Sequence, residues 1–254
     1  MKIYASLLML IASLQLAGME LPPQPPKQRF GLGPELYYAV KAQNSSTVSA
    51  LLKLSGIDLN WRDNHGNTPL ICAAFDNNVE LVSMLVAAGA DLNLHANLGN
   101  SALFNTKSFL ISRTLIENGA RVNARNKDRS TALMKAAAAG ELEIAKLLLR
   151  HGSFLDTKNA HGCTALMIAA GHGKKELVKL LLSAGADYTV TETHGLTAAE
   201  IAVDNGHTEV AATVLSAFII EAFKKKFSIR YNLLSPPFSP NFYTFLTKSY
   251  LFCF

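Results

Sequence analysis

The side chains best suited to chemistry in this 254-residue chain are seven histidines and three cysteines. His65, His161 and His194 stand at the same position of three similar loops. Zinc needs its ligands about 2 Å from the ion, whereas stacked helical units lie about 10 Å apart. Equivalent positions of successive units do not converge, so we expect exposed loop residues, no metal site and no cofactor.

The cysteines are too scattered to form a framework. Cys72 and Cys163 lie in units of an internal repeat that are three repeats apart. At about one helix diameter per stacked repeat, this separation corresponds to about 30 Å. A disulfide tolerates only about 7 Å between the two Cα atoms. Cys253 stands near the C-terminal end, and the chain has no C-x-x-C pair. We therefore expect neither a disulfide framework nor a zinc site.

Sequence motifs of enzymes are absent as well. The chain has no G-x-S-x-G, no glycine-rich phosphate loop and no H-E-x-x-H. We therefore expect a protein without enzymatic activity.

The positive charge of the chain belongs to its C-terminal tail. The formal net charge is +5, but from residue 222 onward there is no Asp or Glu, while the tail holds Lys224, Lys225, Lys226, Arg230 and Lys248. Without these five residues, basic and acidic side chains are equal in number. A neutral body argues against binding to nucleic acid.

An internal repeat organises the rest of the chain. The motif Thr68-Pro69-Leu70 recurs in related form at steps of 33, 30, 33 and 33 residues, and Glu35 opens a further unit one period earlier. A period in this range is typical of stacked repeat proteins. The units begin near residues 35, 68, 101, 131, 164 and 197.

Each unit is predicted to contain two short helices. Thr68 is a good N-cap and Pro69 suits the first helical position. Nine residues later, a Gly or Asn suits a left-handed helix end, and a further Gly ends the second helix. The former residues are Asn44, Asn77, Gly140, Gly173 and Gly206, and the latter Gly56, Gly89, Gly119, Gly152 and Gly185. Such short helices are marginal alone and need neighbouring units. We predict an all-α solenoid.

The pattern D-x-x-G-x-T-P/A-L…A-A…G…L-L…G-A-D-x-N resembles the ankyrin repeat. The resemblance covers about residues 34–220, in six units. It implies paired antiparallel helices with hairpin-like loops that project to one side, which gives the array a concave face. It also implies a scaffold that binds a protein partner of unknown identity, and we expect this scaffold to be a monomer without enzymatic activity.

The chain departs from this pattern in several units, and three of the departures concern its glycines and its spacing. Unit three is three residues short between Ser101 and Gly119, with Lys107 where its first helix should turn. Arg129 stands where a loop glycine is expected, and Phe218 replaces the terminal glycine of unit six.

The resemblance assigns partner contacts to loop residues and to the ends of first helices. The loop residues are Asn64, His65, Asn67, Lys127, Asp128, His161 and His194, and the helix-end residues are Phe75, Asp76, His172, Asp204 and Asn205. Trp61 and Phe75 are candidate anchors, because aromatic side chains dominate binding when they fill a pocket. Trp61 has an equal alternative, which is to cover the first joint between units.

The N-terminal segment is typical of an exported protein. Residues 1–18 have one positive charge and a short apolar run, as in a secretory signal peptide. Residues 19–33 form a Pro-rich linker. We expect export to a periplasmic, envelope or extracellular location, or a cytoplasmic protein if residues 1–18 are not a signal.

Residues 221–254 form a basic aromatic tail that we expect to be irregular. It could touch an anionic membrane, dock on the solenoid, or be an extension without function. The first possibility supports a rival function, a membrane- or envelope-associated structural protein. A weaker rival is a pH or metal sensor built on the loop histidines.

Overall fold

The computed structural model describes residues 32–231, which form twelve helices in six consecutive pairs. The signal-like residues 1–18 and most of the linker lie outside the described residues. The pairs are α1 (Gly33–Lys41) and α2 (Ser45–Leu52), α3 (Pro69–Phe75) and α4 (Val79–Ala87), α5 (Ala102–Asn105) and α6 (Phe109–Glu117), α7 (Ala132–Ala139) and α8 (Leu142–Arg150), α9 (Ala165–Gly171) and α10 (Lys175–Ser183), and α11 (Ala198–Asp204) and α12 (Thr208–Tyr231). The described part contains no strand, only one isolated bridge between Thr191 and Thr197. The predicted all-α solenoid is confirmed.

The recurring hydroxyl residue caps the first helix of units two to six. In each unit its side-chain oxygen accepts a hydrogen bond from the amide three residues later, at 3.3–3.4 Å. The caps are Thr68, Ser101, Thr131, Thr164 and Thr197. Such a bond satisfies an amide that the helix cannot pair, which explains why a Thr or Ser recurs at the start of these units.

The left-handed position between the two helices was predicted correctly except in unit one. Asn77 has φ 54°, and Gly140, Gly173 and Gly206 also have positive φ. The prediction for Asn44 is wrong: this residue has φ −92° and caps α2, and Gln43 takes φ 54° instead. The buried residues of α1 precede their counterparts in α3 by 34 residues, not 33. The pattern in unit one is thus shifted by one residue.

Neighbouring units share one apolar core. Small residues such as Ala73, Ala137 and Ala170 are at most 1% exposed and let the first helices approach closely. The second helices contribute fully buried leucines, including Leu85, Leu148 and Leu177. Burial of one leucine stabilises the fold by about 1.5–3 kcal/mol. Each unit obtains this burial from the units beside it.

Unit three lacks a turn of its first helix, as its length predicts. Helix α5 has four residues, and Thr106 after it is extended. The Thr106 hydroxyl and the Lys107 amide both donate to Asn77 Oδ1 of unit two, at 3.3 and 2.9 Å. Ser108 then caps α6. Hydrogen bonds to the preceding unit thus replace the missing turn.

Helix α12 runs eleven residues past the predicted boundary at residue 220. An irregular tail was expected there, but residues 221–231 are helical. The sequence offers no glycine or proline between Gly206 and Pro236 to stop the helix. Residues 232–254 lie outside the described part. No helix within residues 32–231 is long and apolar enough to cross a membrane.

Candidate functional site

Five loops, here called fingers one to five, connect the six helix pairs. They comprise residues 58–67, 91–100, 121–130, 154–163 and 187–196. Each finger is closed by a backbone hydrogen bond across its tip at 3.0–3.1 Å, for example from the Asn126 amide to the Ser130 carbonyl. The turn requires one left-handed residue, which is Gly66, Gly99, Arg129, Gly162 or Gly195. The loop position at which Arg129 replaces glycine is therefore a strained one.

The five fingers lie side by side in one row. The carbonyls of His65, Leu98, Asp128 and His161 each accept a hydrogen bond from an amide of the following finger, at 2.8–3.2 Å. Arg125 donates to the Lys158 carbonyl at 2.7 Å, and Lys158 donates to the Thr191 carbonyl at 2.8 Å. These bonds fix the spacing of the finger tips.

Side chains at the base of each finger also form hydrogen bonds to the adjacent unit. Asn60, Asn93, Asn123 and Asp156 each accept a hydrogen bond from a backbone amide of the next unit, at 2.8–3.0 Å. We call these four residues the base ladder. It explains why an Asn or Asp recurs at this place in the repeat.

Most of the predicted loop residues are exposed in the finger row. The exposed ones are Asn64, His65, Lys127, Asp128, His161 and His194. Asn67 differs, because it is half-buried and donates through Nδ2 to Asp63 Oδ2 at 3.2 Å. Its contacts stabilise finger one, and the row presents the other six to solvent.

Two carboxylates hold fingers one and five from within. Asp63 accepts hydrogen bonds from the Tyr37 hydroxyl at 2.6 Å and from the amides of His65 and Asn67. Burial raises the pKa of Asp63, but these hydrogen bonds outweigh burial and lower it overall. In finger five, hydrogen bonds led by that from the His194 amide lower the pKa of Glu192 to about 2. Both carboxylates stabilise a turn as anions, which is a structural role.

The predicted helix-end residues lie at the C-terminal ends of first helices. Phe75, the last residue of α3, is 66% exposed, and Asp76 beside it is exposed. His172 follows α9, with its Nδ1 2.9 Å from the Ile168 carbonyl. Asp204 and Asn205 end α11 and are exposed. Successive first helices pack on one another, so these residues follow one edge of the stack.

Trp61 takes a different position from Phe75. Its ring centroid lies 5.2 Å from that of Tyr37 and 6.4 Å from that of Tyr38, and it is half-buried. Gly33 lies so close that a Cβ there would be 2.6 Å from the Trp61 Cβ. Of the two sequence alternatives for Trp61, these contacts favour cover of the first joint. Of the two candidate anchors, Phe75 is the exposed one.

Sequence reasoning missed two features of this face. Leu98 at the tip of finger two is 70% exposed, although its register with His65 and Asp128 was readable from the repeat. Lys135 of α7 lies 5.0 Å from the Phe104 ring centroid in the short unit three. Burial, reinforced by Lys107, lowers the pKa of Lys135. No sequence pattern indicates this contact, because it joins the first helices of two different units.

No cluster of His, Cys, Asp or Glu within residues 32–231 could hold a metal ion. Cys72 and Cys163 are both free, and Cys253 lies outside the described residues. The Cys72 thiol is 3.3 Å from the Tyr37 hydroxyl, and burial raises the pKa of this thiol.

The family model for ankyrin repeats, described as three copies, matches residues 27–96 and 100–192. The chain belongs to the ankyrin repeat family. The crystal structure of EF0377, an ankyrin repeat protein, is similar at a TM-score of 0.67 and 30% identity, with 71% of this chain and 96% of that chain covered. A search of curated proteins found no match. Ankyrin repeats form scaffolds for protein–protein interaction, and the family is generally non-enzymatic.

Proposed function

We propose that this ankyrin repeat protein is a monomeric, non-enzymatic scaffold that binds a protein partner on its finger row and on the C-terminal ends of its first helices. The observation that carries the proposal is the exposure of Phe75 beside Asp76 at the edge of that face. An exposed aromatic ring is a typical binding anchor. At 66% exposure, the Phe75 side chain contributes little to the apolar core.

The test removes Phe75 and Asp76 together by substitution to alanine. A partner captured with the full chain would be titrated against the wild type and the double variant by calorimetry. We expect affinity to fall at least about tenfold, because loss of a binding anchor costs more than 1 kcal/mol. Circular dichroism should show unchanged helicity.

A matched control substitutes Phe109→Ala and Glu117→Ala. This pair removes one aromatic ring and one carboxylate from the second helix α6, away from the first-helix ends. The control should bind as the wild type does. Equal affinity of the wild type and the Phe75/Asp76 variant would place the contact surface elsewhere.

We also propose export through the secretory route, supported by the signal-like sequence of residues 1–18. The mass of the mature protein would reveal cleavage near residue 18.

The rival to the scaffold function, attachment to a membrane or envelope, is supported by the basic aromatic sequence of the tail. Deletion of residues 222–254 distinguishes the two: the scaffold keeps its partner, whereas the rival predicts loss of membrane association.

A further inference from the structure

Finger three differs from the other fingers in charge. It contains four exposed basic residues, Arg121, Arg125, Lys127 and Arg129, against the single acid Asp128. Its formal charge is therefore +3, whereas fingers one, two, four and five carry −1, −1, 0 and −2 with histidine neutral. The central finger of a neutral body is a local positive patch.

The basic residues of finger three are not neutralised by the fold. With histidine neutral, the ion pairs within residues 32–231 lie on helices, as in Arg113–Glu117 and Lys146–Glu143. Arg125 donates to the carbonyls of Arg129 and Lys158, at 3.0 and 2.7 Å. These bonds fix its position, while its positive charge has no carboxylate partner among residues 32–231. The patch can therefore pair with an external anion.

The backbone of Arg129 adds an independent observation. This residue has φ 58° where the other four fingers have glycine. A Cβ at Gly66, Gly99 or Gly162 would approach the next finger to 2.5–3.0 Å. A residue with a side chain is costly at such a position, so folding alone does not explain an arginine there. A role of the Arg129 side chain in binding would offset this cost.

An exposed apolar side chain stands beside the patch. The Lys127 amide donates to the Leu98 carbonyl at 3.0 Å, which places the tip of finger two against finger three. Leu98 is 70% exposed. The adjoining surface thus offers positive charge and one apolar contact together.

We propose that finger three and Leu98 form the docking site for an acidic segment of a protein partner. Carboxylates of this segment pair with Lys127 and Arg129, and a neighbouring apolar side chain covers Leu98. Arginine suits this role because its planar guanidinium binds a carboxylate through two parallel hydrogen bonds. The inference rests on the proposed scaffold function and specifies the chemistry of its partner.

A protein segment fits the surface better than a nucleic acid does. A nucleic acid strand that followed the finger row would leave finger three and meet the negative charge of fingers two and five, including Asp91 and Asp187. Binding to a phosphate backbone requires many basic contacts in succession. A short acidic segment needs only the local patch.

The test selects ligands without assuming a partner. A random dodecapeptide library displayed on phage would be panned against the immobilised full chain. We expect the selected peptides to be net acidic and to carry a leucine-sized apolar residue. Their affinity, measured by fluorescence anisotropy, should fall about tenfold in the Lys127→Gln/Arg129→Asn variant, because this variant removes two exposed charge pairs with the peptide.

The variant is chosen to leave the fold intact. It keeps Arg125 with its two backbone bonds, and asparagine tolerates the left-handed conformation at residue 129. The control variant Lys53→Gln/Arg150→Gln loses the same charge at exposed positions outside finger three, and it should bind the peptides as the wild type does. An equal loss in both variants would show a nonspecific charge effect and overturn the inference.

Two further outcomes separate this inference from the proposed function. The selected peptides could lack an acidic excess, bind the finger-three variant as tightly as the wild type, and lose affinity only for the Phe75/Asp76 variant. That result overturns the acidic site and supports the proposed scaffold function. If no acidic peptide is selected, or if a short oligouridylate or phosphatidylserine vesicles bind through finger three instead, the acidic site is overturned, and the Phe75/Asp76 test alone decides the proposed function.

Discussion

Units three and five show how differently one repeat can be built without losing its place in the stack. Unit five has a seven-residue first helix, α9, whereas α5 of unit three has four residues. Their second helices, α6 and α10, are both nine residues long, and the equivalent residues Leu115 and Leu181 are both 0% exposed. Second helices therefore keep the core continuous, while the first helices tolerate variation.

The largest expected effect tests this continuity in unit five. Leu181→Ala should cost about 2–5 kcal/mol in the free energy of unfolding, because it removes buried methyl groups and leaves a cavity. Urea denaturation followed by circular dichroism measures this cost. A cost below about 1 kcal/mol would mean that Leu181 does not fill an interface between units.

The matched substitution Leu115→Ala extends the comparison to unit three. We expect a cost in the same range, about 2–5 kcal/mol, because burial at the two positions is equal.

The Leu115→Ala variant should also change the shape of the unfolding transition. Since α5 offers little first-helix packing, we expect units one and two to unfold separately from units four to six. A single sharp transition in this variant would show that the short helix does not weaken the array.

Removal of the helix caps should have a smaller and unequal effect. Thr164→Ala is expected to cost about 1 kcal/mol, because it leaves the Met167 amide without its hydrogen bond. Ser101→Ala should cost less, since the helix that it caps has only four residues. Thermal unfolding of the two variants side by side measures the difference, and the reverse order would contradict it.

A substitution in finger three should stabilise the protein. Arg129→Gly is expected to raise the free energy of unfolding by about 1 kcal/mol, because glycine adopts positive φ without steric cost. Gln43→Gly is a suitable control, since it relieves φ 54° at an exposed site outside the fingers. Loss of stability in Arg129→Gly would show that the arginine side chain supports the fold.

The smallest effect concerns acid sensitivity. Glu192 in finger five accepts amide hydrogen bonds as a carboxylate, whereas Asn126 does the same in finger three without ionising. The pKa of Glu192, about 2, is below its usual 4.5. Its contribution is therefore complete above pH 4.5 and is lost as the pH falls toward 2.

Glu192→Gln should flatten the decline of stability across this pH range, as measured by urea denaturation at several pH values. Asn126→Gln should leave the shape of that pH dependence unchanged. An unaltered acid decline in Glu192→Gln would assign it to other carboxylates.

The sequence predicted features that act within one unit. Thr131 and Thr164 cap helices because a hydroxyl at that position serves its own first turn. Gln43 was missed because the one-residue shift of unit one becomes visible only when α1 packs on α3. The half-burial of Trp61 also depends on an adjacent unit, which a single repeat does not specify. The candidate site was therefore predictable as a face, but not as individual contacts.

The base ladder has a mechanical consequence. Each of its hydrogen bonds joins one unit only to the next, so a pulling force on the two ends of the array would load the joints in series. The junction formed by α5 has the shortest first helix, and therefore the least helix–helix packing to oppose such a force. We therefore expect extension to open the array there first, while the units on either side remain folded like the two arms of a hinge.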